Sequence, residues 1–221
     1  MTYYERDADT GLPEFLGGRP VPDRIPVHQQ PRDSPTGHIP GEAGLWIFIL
    51  GDMTLFAAIM LVFLWERRMQ PEAFNEAAHQ LLQPIGAVNT LVLLLSSYLV
   101  VRALTAHRAG RHDSAGHLVL GAIGCAAVFV GLKAVEYSSE LSSGHTPASG
   151  TFFTFYFILT GLHLLHVVVG SALLLAWKGT LTRGRPWTTV QRFIEGIASY
   201  WHMVDLLWVA IFALVYLVSA E

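Results

Sequence analysis

The chain has 221 residues, of which 52% are hydrophobic and only 14% charged, with a formal net charge of -3. A soluble domain carries about 25% charged residues to cover its surface, so this balance excludes an ordinary soluble globule. The near-neutral charge provides neither a basic face for nucleic acid nor an acidic tail, so no nucleic-acid partner is expected and partners belong in the bilayer.

Residues 1–43 read as a disordered or extended tail, holding seven of the eleven prolines: Pro13, Pro20, Pro22, Pro26, Pro31, Pro35 and Pro40. Proline fixes φ and removes a backbone donor, so a cooperative helix or strand is not expected there. No apolar segment follows a basic start, so the tail does not read as a cleavable secretory signal, and the first membrane helix does the targeting. Residues 44–221 read as the transmembrane domain. Its apolar runs, at about 45–65, 84–104, 116–136, 152–177 and 196–219, each reach the roughly 20 residues that cross about 30 Å of hydrocarbon. Lipid offers a bare backbone amide no partner, so only helices or a closed barrel can span it, and alternation of period two is absent from these runs. The fold class is therefore an all-α membrane protein, a bundle of five transmembrane helices.

Basic residues give the orientation. Arg6, Arg19, Arg24, Arg32, Arg102, Arg108, Arg111, Lys178, Arg183, Arg185 and Arg192 fall on the side of the tail, against Arg67, Arg68 and Lys133 on the other. The N-terminus is expected to be cytoplasmic and the C-terminus external. Trp46, Trp65, Trp177, Trp187 and Trp201 lie near the expected helix ends and read as anchors at the membrane interface. Ala122, Ala126, Ala127 and Gly131 are small enough to let the third helix pack closely. The single Cys125 reads as a small buried apolar residue.

Polar side chains at membrane depth carry more information, because a charge there must be neutralised, paired or wetted. Asp52 lies about a third of the way along the first helix, with Phe48 and Phe56 one turn to either side and no basic partner on its own helix. It reads as a carboxyl bonded to a neighbouring helix, as a proton-handling group, or as a contact for a lipid headgroup. His163 and His166 share one face of the fourth helix, Glu195 and His202 share one face of the fifth with Asp205 a further turn along, and Lys133 stands one turn from Glu136 and can pair with it. These residues suit a buried polar network between helices. A metal centre on His163, His166 and His202 is the competing reading, and a small stand-alone transporter or proton channel is another.

Longer motifs narrow the choice. The stretch LWIFILGDMTLF from Leu45 to Phe56, NTLVLLLSS from Asn89 to Ser97, KAVEY from Lys133 to Tyr137, FYFILTGLHLLHVVVGS from Phe155 to Ser171, and Glu195, Ser199, Tyr200, Trp201 and His202 followed by Val204, Asp205 and Trp208 occur in order along the chain. Together they resemble the cytochrome c oxidase subunit III family over about residues 40–219. The resemblance is to the last five of the seven helices of the larger members. Asp52 stands where classical oxidase members usually carry glutamate, and this variant in a five-helix chain looks like the branch associated with bacterial nitric oxide reductases. The resemblance implies an accessory subunit without haem or copper of its own, beside a catalytic subunit of a haem-copper oxidase or a nitric oxide reductase that carries those cofactors. It further implies bound structural phospholipids, support of proton uptake and of the stability of the catalytic subunit, and a place in a bacterial-type plasma membrane or equivalent respiratory membrane. Asp52 would be the intramembrane acid, and Glu136, His163, His166, Glu195, His202 and Asp205 would brace the bundle. No catalytic and no metal-binding residue is expected in the chain itself.

Overall fold

The computed structural model describes residues 43–217 apart from 80, 82 and 184–186. The tail expected over 1–43 lies outside the described residues except for Ala43, where the first helix begins. The helices are α1 (Ala43–Met69), α2 (Pro71–His79), α3 (Gln83–Arg108), α4 (His112–Ser142), α5 (Thr151–Thr182) and α6 (Trp187–Phe212), the last continued by a π-helical turn at Ala213–Leu217. Among the described residues, five helices are long and apolar enough to cross a membrane.

Each long helix begins earlier or ends later than its apolar run. The run marks only what lies in hydrocarbon, and intrahelical hydrogen bonding continues into the polar flanks. In α1 the extension carries Arg67 and Arg68 in the last turn, where cations suit the negative end of the helix dipole. The short α2 was not anticipated, being too brief to span. Pro71 occupies its first position and Glu72 its first turn. Phe74 of α2 is buried edge-on against Phe63 of α1 and Phe152 of α5, with centroids at 5.3 and 5.7 Å.

The turns after α3 and α4 are built alike. After α3 the Gly110 amide donates to the His107 carbonyl and the Arg111 amide to Ala106; after α4 the Gly144 amide donates to Leu141 and the His145 amide to Glu140. This paired closure needs a left-handed residue, which Gly110 (φ 73) and Gly144 (φ 86) provide without a Cβ penalty.

Helix α6 is the centre of the bundle. The Ser96–Trp201, Ser97–His202 and Thr90–Trp208 hydrogen bonds set it antiparallel to α3. Gly170 of α5 lies so close to Trp201 that a Cβ there would stand 2.7 Å from the indole. Trp177, Trp201 and Trp208 are fully buried, so Trp177 and Trp201 are core residues rather than the interface anchors expected from their positions near helix ends. Their indole N–H groups reach polar partners inside the bundle, which allows that burial. Trp46 and Trp65 are exposed. Of the small residues expected to line a close contact, Ala122 and Ala126 are buried, and the Ser96 hydroxyl donates to the Ala122 carbonyl across the α3–α4 interface. Ala127 and Gly131 are exposed and take no part in packing within the bundle. Cys125 is half-buried rather than buried.

Candidate functional site

The polar residues singled out by the sequence fall into separate groups at different depths, because which helices meet is set by packing and not by spacing along one helix. Asp52 is joined to α5. His166 Nε2 lies 3.1 Å from Asp52 Oδ1, and both side chains are largely buried. His166 Nδ1 lies 2.6 Å from the Leu162 carbonyl and must donate to it, since a carbonyl only accepts. In a neutral ring Nε2 then carries no hydrogen, so the contact with the carboxyl requires one proton, held on Nε2 or on Oδ1. Asp52 Oδ2 is buried without a hydrogen-bond partner. Phe56 stands edge-on to the imidazole at 5.5 Å and Tyr200 stacks on it at 6.5 Å.

At the end of the bundle where α4 leads into α5, Lys133 and Glu136 pair at 3.1 Å, as their spacing suggested, with both side chains buried. Sequence reasoning missed the rest of this group. Lys133 Nζ also donates to the hydroxyls of Tyr156 and Tyr216, at 3.1 Å each, and the two hydroxyls donate to Glu136 Oε1. The ammonium sits among the rings of Tyr137, Tyr156, Tyr216 and Trp208. Aromatic faces and three oxygens thus replace its hydration shell. Polar-tipped aromatics in apolar segments were the available signal. Beyond this group, His145 reaches Glu140 at 2.9 Å and stacks on Phe153.

At the opposite end, Glu195 does not meet His202. Arg108 donates to Glu195 at 2.9 Å and lies over the Trp187 ring, and Gln191 also donates to Glu195. The two residues are seven apart on one face, yet one faces the end of α3 and the other its middle, where His202 Nδ1 and the Ser97 hydroxyl share a 2.7 Å hydrogen bond. Asp205 is buried with neither carboxyl oxygen hydrogen-bonded, while the Ser97 hydroxyl pairs with His202. His163 is fully buried against Phe129 and Trp208, at 5.4 and 5.1 Å, with neither ring nitrogen bonded. His163, His166 and His202 therefore point to different surroundings and do not converge. Among the described residues, no three His, Cys, Asp or Glu side chains form a metal-ligand set.

A bundle of membrane-length helices with ion pairs and hydrogen-bonded acids turned inward defines a polytopic membrane protein. The profile described as cytochrome c oxidase subunit III matches residues 39–220. The chain belongs to the cytochrome c oxidase subunit III family. It is 27% identical over 178 residues to a protein of Staphylococcus haemolyticus named as a probable quinol oxidase subunit 3, covering 80% of this chain and 88% of that one. It is 27% identical over 180 residues to the cytochrome bo(3) ubiquinol oxidase subunit 3 of Pseudomonas aeruginosa, covering 80% and 84%. A probable quinol oxidase subunit 3 of Staphylococcus aureus is 28% identical over 182 residues, covering 80% and 88%. These relatives are thus close to this chain in length. A short subunit III occurs among proteins named for quinol oxidases, so shortness does not mark out the nitric oxide reductase branch.

Proposed function

We propose that the chain is the non-redox third subunit of a haem-copper terminal oxidase in aerobic electron transport, seated beside the catalytic subunit that holds haem and copper. The observation that carries this reading is the family match over nearly the whole membrane domain. The names of the relatives favour a quinol-oxidising partner. Nitric oxide reductase is the second reading, and it rests on Asp52 in the GDM sequence alone.

In this reading the chain stabilises the catalytic subunit and assists its proton uptake. The Asp52–His166 pair supports the proton-linked part, since it holds one exchangeable proton at membrane depth. Structural phospholipids are the ligands we assign to the groove of about 400 Å³ between α1, α5 and α6. Its lining of Leu45, Phe48, Leu173 and Phe193 suits an acyl chain, and Arg192 suits a phosphate. The excess of basic residues on the tail side supports a cytoplasmic N-terminus and an external C-terminus, and the bacterial relatives support a plasma-membrane location.

Purification of the tagged full chain from its own membranes in mild detergent tests the assignment. Recovery with a haem-copper catalytic subunit, with haem in fixed ratio to the chain, is expected. A nitric oxide reductase as partner would replace the first reading with the second. A chain that emerges alone and colourless would overturn both in favour of a stand-alone transporter.

A further inference from the structure

Three side chains in the middle of the bundle have polar atoms that find no hydrogen-bond partner among the described residues. They are Asn89 on α3, His163 on α5 and Asp205 on α6, and the amide, both ring nitrogens and both carboxyl oxygens lack hydrogen-bond partners. All three residues are buried, Asn89 and His163 completely.

The helix registers bring them to one tier. Ser97 bonds His202 and Thr90 bonds Trp208, so Asn89, next to Thr90, stands at the level of Trp208. His163 packs on the Trp208 ring, and Phe129 of α4 packs on both. Asp205 is three residues from His202 and three from Trp208. The three side chains thus fall within the stretch from His202 to Trp208, about 9 Å of helix at about 1.5 Å per residue.

Buried polar atoms are almost always bonded, to protein or to ordered water. The mixture of atoms selects the occupant. The Asn89 amide nitrogen and one imidazole nitrogen can only donate, whereas the Asn89 oxygen, the other imidazole nitrogen and an ionised Asp205 carboxylate accept. A cation leaves the donors unmet and faces Lys133, whose ammonium lies 5.3 Å from the Trp208 ring centre. An anion leaves the Asn89 oxygen and the accepting imidazole nitrogen unmet. Water both donates and accepts. We propose that this tier is an internal water site held by Asn89, His163 and Asp205, and that it joins the Ser97–His202 pair on one side to the Lys133–Glu136–Tyr156–Tyr216 group on the other. With Glu195 and Tyr216 at its ends, the resulting polar seam along α6 runs about 30 Å, comparable to the hydrocarbon thickness. The inference is independent of which oxidase the chain serves.

Radiolytic footprinting in 18O water, on the full chain in its complex in lipid nanodiscs, tests it, because hydroxyl radicals formed from bound water label adjacent rings. Phe129 and Phe63 are the internal comparison: both are fully buried, but Phe129 lies against His163 and Trp208, whereas Phe63 lies among Phe74, Phe152 and Phe155. Faster 18O uptake at Phe129 than at Phe63 is expected. Equal uptake, whether at both or at neither, would overturn the proposal. A second measurement is the melting temperature of Asn89→Leu. In a watered tier the substitution strands water and its remaining partners, and Tm falls by about 2–4 °C. In a dry tier it removes an unsatisfied amide, and a rise or no change would count against the site.

Discussion

Replacing Lys133 by methionine tests whether the buried group at the α4–α5 end is held together by its charges. The lysine donates to Glu136, Tyr156 and Tyr216 at 3.1 Å each, and both members of the ion pair are buried. Methionine fills a similar volume but removes all three bonds and leaves Glu136 with only the tyrosine hydroxyls. Three bonds at about 1–1.5 kcal/mol each amount to roughly 3–4.5 kcal/mol, within the range of about 3–5 kcal/mol for breaking a buried pair by removing one partner. Glu136→Leu should cost about as much, because it strands the ammonium. The double variant Lys133→Met, Glu136→Leu carries no buried charge, and a loss of only about 1–2 kcal/mol is expected, from the two tyrosine hydroxyls left with fewer partners. Denaturant unfolding in mixed micelles, followed by tryptophan fluorescence, gives the three differences. A double variant that loses the sum of the two single losses would refute the reasoning, because independent side chains add and a coupled pair does not.

Other substitutions separate the remaining groups. Gly170→Ala places a Cβ 2.7 Å from Trp201, which is fully buried and tied to Ser96, so overpacking should cost about 1–3 kcal/mol in the same assay. Arg108→Met removes the cation beside the buried Glu195, yet Arg108 is half-exposed and Gln191 remains, so a loss of about 1 kcal/mol is expected, weakening with added salt before the substitution is made. His202→Leu should cost about 1 kcal/mol through the bond to Ser97 and leave the Arg108–Glu195 coupling unchanged in a double-variant cycle. Asp52→Asn keeps a hydrogen bond to His166, since its amide can donate to a neutral Nε2, but it removes the shared proton. Assembly should therefore persist while activity declines faster over repeated turnovers, and undiminished activity would remove Asp52 from proton handling.

What the sequence discloses here is what lies along one helix. The five spans follow from apolar length, and the Lys133–Glu136 pair follows from its spacing of three. Partners on different helices follow from neither. Asp52 finds His166 at a separation of 114 residues, Lys133 finds Tyr216 at 83, and Arg108 finds Glu195 at 87. Glu195 and His202 show the converse error. They share a helical face, and that face meets the end of α3 at one residue and its middle at the other. The tryptophans fail as markers of the interface for a related reason. Trp177 and Trp201 are near helix ends in sequence, but each indole N–H has a polar partner inside, at His107 and Ser96. The short α2 escapes any search tuned to spans, although Phe74 and Ala78 at a separation of four already mark one buried face.

Only 17% of the most apolar window of α1 is buried, against 61% for α6, so α1 has little packing to fix its position. Its inward row of Ile49, Asp52, Phe56 and Phe63 includes one acid, and that acid is bonded to α5. A second apolar residue at that position would hold α1 through dispersion alone, which in lipid scarcely distinguishes a helix neighbour from an acyl chain. A hydrogen bond has a direction and a length, so the pair sets the rotation and height of α1. Because His166 Nδ1 is committed to the Leu162 carbonyl, that same bond exists only when one proton is present.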